Sequence, residues 1–345
     1  MKEHVLDVVG IADAVSAPEF FTWMEEHSKM YDTNEETKLR LGIWKGNNAF
    51  IEAHNTQQPP SSYTLGHNHF SDLTVDEYQE LNQLGDYSPG IMTASRPKSY
   101  AADDAVTATK LRRTLLQDVP DSVDWVEQGA IVPVKNQGMC GSCWAFSAIV
   151  AIEGAHFIDT ANLTSLSEQE LVDCDKLDMG CGGGLMDNAF LFDENSTGIC
   201  SEVDYPYAMH KRWLRGCGSE KGECSPVNHT RVKTFYDVEN NIDALVAAIA
   251  KQPVSVAIEA DQQSFQFYKS GVFDDPGCGD NLDHGVAAVG YGTLDGKDYF
   301  KVRNSWGASW GDEGYILMSR STEHNVNGTC GILGFASVPT LREDF

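Results

Sequence analysis

At 345 residues the chain has room for two or three folded units and a substantial core. A net charge of −26 excludes a polyanion such as nucleic acid as a natural partner, and no apolar run reaches the ~18 residues of a membrane span, so no membrane insertion is expected. Acidic residues outnumber basic ones on both sides of residue 118, which suits a solvated surface or an acidic compartment.

At the N-terminus, the stretch from Val5 to Ile11 is broken by Asp7 and followed by Asp13, too polar for the core of a secretory signal. From residue 18 to about 85 the pattern predicts a small helical unit, opened by Phe20, Phe21, Trp23 and Met24. Its next helix carries Glu36, Arg40, Trp44, Asn47, Ile51 and Asn55. At about 100° per residue these side chains share one face. Gly66, Asn68, Phe70 and Asp72 follow at alternate positions, with His67 and His69 between them. A metal pair there would lack a third ligand, and no metal or other cofactor is expected. From Ser88 to about Pro120 the chain turns polar and broken, a linker that holds Arg112 and Arg113 as an exposed place for cleavage.

Beyond the linker, Gln137 to Trp144 reads Gln-Gly-Met-Cys-Gly-Ser-Cys-Trp, with a helix-forming run directly behind Cys143. A cysteine at a helix N-terminus sits where unpaired N–H groups and the helix dipole favour its thiolate, the reactive form. A redox pair of Cys140 and Cys143 would need a βαβ unit that is not visible. The spacing to Cys174 and Cys181 is not that of a zinc ribbon. Ser167 with Glu170 three residues on predicts a capped helix. Strands are predicted at 254–258, 286–291, 299–303 and 314–318. A helical part followed by a strand-rich one gives an α+β class. His284 follows Asp283 at the head of the second strand, and Asn304 follows the third within Val-Arg-Asn-Ser-Trp-Gly.

Taken together, the segments around Cys143, His284 and Asn304 resemble the papain family of cysteine peptidases. The N-terminal helix and the Gly-x-Asn-x-Phe-x-Asp run resemble the propeptide of cathepsin L-like proenzymes, with Trp44 where that family usually has Phe. The resemblance extends from residue 18 to Pro339. It implies a helical inhibitory propeptide over 1–118 and a two-lobed peptidase over 119–345. The helical lobe is expected at about 129–228 and a β-barrel-like lobe at about 229–345, facing it across a cleft.

By the same resemblance Cys143 is the nucleophile, His284 its proton carrier and Asn304 the residue that orients the imidazole. Gln137 supplies an oxyanion donor and Trp306 covers the histidine–asparagine bond. Gly183, Gly184, Asp283 and Trp310 join the substrate cleft. Leu185, Met186, Ala257 and Leu282, with Phe335 at the base, line the pocket for the second residue upstream of the cut, P2. Expected disulfides are Cys140–Cys181, Cys174–Cys217, Cys278–Cys330 and Cys200–Cys224, with the choice between Cys217 and Cys224 as partner of Cys174 left open. Nine cysteines then leave Cys143 unpaired, and eight paired ones imply an oxidising compartment. The sequons at Asn162, Asn195, Asn228 and Asn327 agree with glycosylation on a secretory route, to a lysosome or vacuole or outside the cell. The expected protein is a monomeric, self-inhibited endopeptidase acting on proteins and peptides. A non-catalytic homologue commonly lacks the cysteine or the histidine, and an exopeptidase needs an occluding insertion; neither pattern is present.

Overall fold

A computed structural model describes residues 17–82, 119–210, 216–218, 222 and 224–342. The expected linker, Arg112–Arg113 and the stretch at 5–13 lie outside these residues. Among the described residues, no helix is long and apolar enough to cross a membrane.

Two N-terminal helices come first, α1 (Pro18–Glu26) and α2 (Asn34–Thr56). Thr33 caps α2, its hydroxyl accepting from the Glu36 N–H and so satisfying one of the helix's orphan donors. The apolar cluster Ala17, Phe20, Trp23, Met24, Leu41 and Trp44 joins α1 to α2. Asn47 and Ile51 are buried on the α2 face anticipated from the sequence. A short strand, β1 (Tyr63–Leu65), and α3 (Val75–Asn82) complete this segment.

After β2 (Val123–Asp124) come α4 (Cys143–Thr160), α5 (Glu168–Cys174) and α6 (Met186–Glu194). Ser167 caps α5 by accepting from Glu170 N, as its sequence predicts. Residues Cys143 to His156 of α4 are buried all round, because the helix lies between α6 and the sheet. The rest is mostly strand: β3 (Val232–Asp237), β4 (Val254–Ile258), β5 (Tyr268–Phe273), β6 (His284–Leu294), β7 (Lys297–Arg303), β8 (Tyr315–Ser319) and β9 (Ala336–Leu341). Two helices that the sequence pattern did not separate from these strands are α7 (Ile242–Ile249) and α8 (Gln263–Gln266).

The strands form one mixed sheet in the order β1-β5-β8-β7-β6-β4-β9-β3, with β2 added beside β6. It stays open, and this corrects the barrel-like expectation: β1 and β3 end the path without pairing to each other. The N-terminal segment thus enters the sheet through β1, which runs antiparallel to β5 with Tyr63 opposite Gly271. Four disulfides brace the molecule: Cys140–Cys181, Cys174–Cys217, Cys200–Cys224 and Cys278–Cys330. Cys217, not Cys224, therefore meets Cys174.

Candidate active site

The antiparallel pairing of β6 with β7 sets Ala287 opposite Arg303. His284 at the start of β6 and Asn304 just after β7 therefore fall at the same end of the pair. His284 Nε2 and Asn304 Oδ1 meet at 2.8 Å, and Ser305 N–H donates to the same oxygen at 2.7 Å. His284 Nδ1 is buried and makes no hydrogen bond among the described residues. The Trp306 indole stacks over the imidazole, with ring centroids 4.7 Å apart and planes 24° from parallel. Trp310 in turn meets Trp306 edge to face at 5.1 Å. Burial pulls the His284 pKa down to about 4, with the Asn304 hydrogen bond opposing it.

Cys143 is the first residue of α4, buried at 2% exposure, and of the nine cysteines it is the one outside a disulfide. Ser142 precedes it but makes no side-chain cap. Its hydroxyl instead pairs with Tyr207 Oη at 2.6 Å, leaving the positive end of the helix to a neighbouring anion. One turn on, Ser147 Oγ donates to Val286 O at 2.6 Å and ties the helix start to β6 two residues past His284. Gln137 is fully buried beside them. Its Nε2 donates to Cys140 O at 3.0 Å and its Oε1 accepts from Ser305 Oγ at 2.5 Å, which fixes the amide plane and leaves a second N–H to spare.

Leu185, Met186, Ala257 and Phe335 are buried in one apolar cluster, with Leu282 packed against it. Gly183 has φ +106°, a left-handed conformation that favours glycine. At Gly184 a Cβ would come within 2.7 Å of the Trp144 ring. Asp283 is buried, and its Oδ1 accepts from Ala260 N at 2.8 Å. Burial raises its pKa to about 8.

The N-terminal segment lies over this end of the sheet. Phe70 and Tyr78 meet Trp306 edge to face at 5.3 and 5.7 Å. Asn68 Nδ2 donates to Gln266 O at 2.7 Å, Gln266 Nε2 to Phe70 O at 3.2 Å, and Tyr78 Oη to Ala260 O at 2.6 Å. Within the segment, Asn55 reads both polar groups of Leu65, and Arg40 joins Glu36, Glu77 and Asp72 O. Asp72 accepts from Lys29 and Tyr31. Asn68 and Phe70 thus meet the sheet, while Glu36, Arg40, Asn55 and Asp72 hold the segment together by hydrogen bonds.

Sequence reasoning missed Tyr207, which also donates to Gln137 O at 2.8 Å, and Lys135, whose ammonium sits 2.8 Å from Glu168. Glu153 and Glu202 lie 3.7 and 3.6 Å from the same ammonium. Burial, opposed by the Lys135 ammonium, pushes the Glu168 pKa up to about 8. A lysine followed two residues later by the oxyanion candidate carries no local signal of that cluster.

A family model for papain family cysteine protease matches residues 119–340, and one for the cathepsin propeptide inhibitor domain matches residues 20–78. The chain belongs to the papain family of cysteine proteases. Among its relatives, cysteine protease XCP2 of Arabidopsis thaliana is 44% identical over 93% of this chain and 85% of its own length. The crystal structure of the proform of the ragweed pollen cysteine protease Amb a 11 matches with a TM-score of 0.80 and 34% identity, covering 94% of each chain. Digestive procathepsin L 3 of Tenebrio molitor matches with a TM-score of 0.78 and 33% identity over 94% of this chain and 98% of its own. The protein is accordingly a cysteine protease with an inhibitory propeptide domain, and its disulfides suit a secretory route.

Proposed function

We propose that this papain-family protease cleaves peptide bonds through Cys143, His284 and Asn304. The observation that carries the reading is the 2.8 Å bond from His284 Nε2 to Asn304 Oδ1 under Trp306, which leaves Nδ1 as the nitrogen for the Cys143 thiol. A buried imidazole is neutral by itself, and a thiolate beside it supplies the charge that keeps a second proton. Cys143 attacks the carbonyl, His284 protonates the leaving amine, and water then releases the acyl group with His284 as base. Gln137 donates to the tetrahedral oxyanion.

The apolar cluster of Leu185, Met186, Ala257 and Phe335, closed by Leu282, forms the P2 pocket, with Phe335 shortening its base. Residues 1–118 act as the removable inhibitor and 119–345 as the peptidase, working as a monomer in a lysosome, vacuole or extracellular space. Of the sequon asparagines, Asn162, Asn195 and Asn228 are exposed and are the sites read as carrying sugar.

The test is a peptide-hydrolysis assay on the full-length chain at neutral pH and after acidification. The unprocessed chain should be inert and gain activity as the propeptide is removed. Full turnover by the unprocessed chain at neutral pH would overturn the zymogen reading.

A further inference from the structure

Behind Gly183–Met186 lie two carboxyl groups that the proposed chemistry does not use. Asp175 caps the end of α5, and its Oδ1 accepts from Leu177 N at 2.8 Å. Asp178 is 8% exposed, and its Oδ1 accepts from Leu185 N at 3.1 Å and Asn188 Nδ2 at 2.8 Å. Its Oδ2 is fully buried and has no donor among the described residues. The Asp175 carboxyl lies within hydrogen-bonding reach of the Asp178 carboxyl.

Two buried carboxylates in contact cannot both ionise without strong repulsion. One proton between them removes that repulsion and gives Asp178 Oδ2 its missing partner. We infer that Asp178 is a positioning residue, sharing one proton with Asp175 so as to hold Gly183–Met186 against the substrate. This rests on the reading that Gly183–Met186 forms one wall of the cleft.

The packing supports a direct link from the acid pair to that wall. A Cβ at Gly184 would stand 2.6 Å from Asp178 Cγ, so the carboxyl lies directly against this segment. Met179 N donates to Gly183 O at 3.0 Å, and Cys181 is tied to Cys140, so the turn is otherwise fixed at both edges. The Leu185 N–H that Asp178 accepts is at the N-cap of α6, next to Met186.

Among the described residues, several groups flank the pair. Asn188 from α6 and Trp144 from α4 are neutral, Lys176 on the same turn is exposed, Asp173 bonds Tyr205, and Asp187 bonds Ser337. Burial first, then Asp175, lifts the Asp178 pKa to about 8. The sign follows: a carboxyl raised on folding stabilises the segment while protonated and loses that contribution as pH climbs toward about 8. The wall is therefore held in acid and loosened in alkali.

The experiment measures kcat and KM separately across pH for enzyme activated from the full-length chain, using one amide substrate with Leu at P2. In the unmodified enzyme KM should rise about tenfold as pH passes about 8, beyond any loss in kcat from the imidazole. Asp178→Asn keeps a donor toward Asp175 at every pH, so its KM should stay flat with kcat preserved. Asp175→Asn should flatten KM in the same way. Coincident KM curves for D178N and the unmodified enzyme overturn the proposal, and so does a D178N chain that cannot fold, since asparagine retains the bond. Labelling of Cys143 by an epoxide inhibitor separates the two levels. No label on the unmodified enzyme defeats the functional reading, whereas normal labelling with coincident curves defeats the acid pair alone.

Discussion

Gln137 shows how a side chain can be legible by type and still need a structure for its role. From sequence it is one polar residue six positions before a cysteine. In the fold its amide is clamped by Ser305 Oγ and Cys140 O, so its remaining N–H has one direction. Gln137→Ala should lower kcat by about 10²–10³ with little change in KM, because the lost bond forms only to the oxyanion. An equal rise in KM with kcat intact would point to ground-state binding instead. The proposed P2 pocket makes a second prediction at this scale. Its apolar lining gives a charged side chain no partner, so Leu should exceed Arg in kcat/KM by several kcal/mol of transition-state binding. Phe335 at the base should favour Leu over Phe by about 1–3 kcal/mol. Matched fluorogenic peptides differing only at P2 check both; a preference for Arg overturns the pocket, and one for Phe removes Phe335 from its base. Tyr207 had no such legibility, since its contacts with Ser142 and Gln137 span more than 60 positions in sequence.

The face of α2 was readable from its period, because burial of every third or fourth side chain leaves that trace. Its partners were not. Trp44 stacks flat on His67 at 4.3 Å and 6°, so the aromatic substitution noted in the sequence meets a histidine. His69 lies against Phe70 and within 3.4 Å of Ser309 across the interface. Burial holds both imidazoles down to about 4, with Lys29 and His27 adding to the effect at His69 and Asp72 opposing it. A histidine depressed on folding supports the fold above its ordinary value of 6.5 and loses that support as pH falls toward about 4. Glu77 acts in the same direction. Burial opposes its ionisation, but the Thr74 N–H and Arg40 keep its pKa below the ordinary carboxylate value. Acid release is thus expected to draw on these histidines as well as on carboxylates such as Glu77. His69→Gln should move the midpoint of acid activation to lower pH, measured as onset of peptide turnover during a pH titration. An unchanged midpoint would leave the carboxylates alone as the trigger. Lys135 matters at this scale too, joining the loop before Gln137 to α4 and α5. Lys135→Met leaves buried carboxylates unpaired and should cost about 3–5 kcal/mol, read by denaturant unfolding.

Across the whole molecule, the α+β class, the helix behind Cys143, the helix capped by Ser167 and strands β4, β6, β7 and β8 were legible because turn signals and periodicity are local, whereas β3, β5, β9, α7 and α8 were not. Closure of the sheet was not, since it depends on which edges meet. The N-terminal β1 on β5 and the late β9 between β4 and β3 are contacts that local pattern does not encode. The cysteines bridged that gap in part, as an odd count marks one residue as unlike the rest. In the structure that residue is Cys143, at the head of α4 and tied to the His284 strand through Ser147. Acid-activated enzyme, treated with a cysteine-directed epoxide such as E-64 and then digested without reduction, tests this most directly by mass spectrometry. The account predicts one adduct, on Cys143, in step with loss of peptide turnover, while the other eight cysteines remain in four disulfides. Full inactivation with Cys143 unmodified, or an adduct on any other residue, would contradict it.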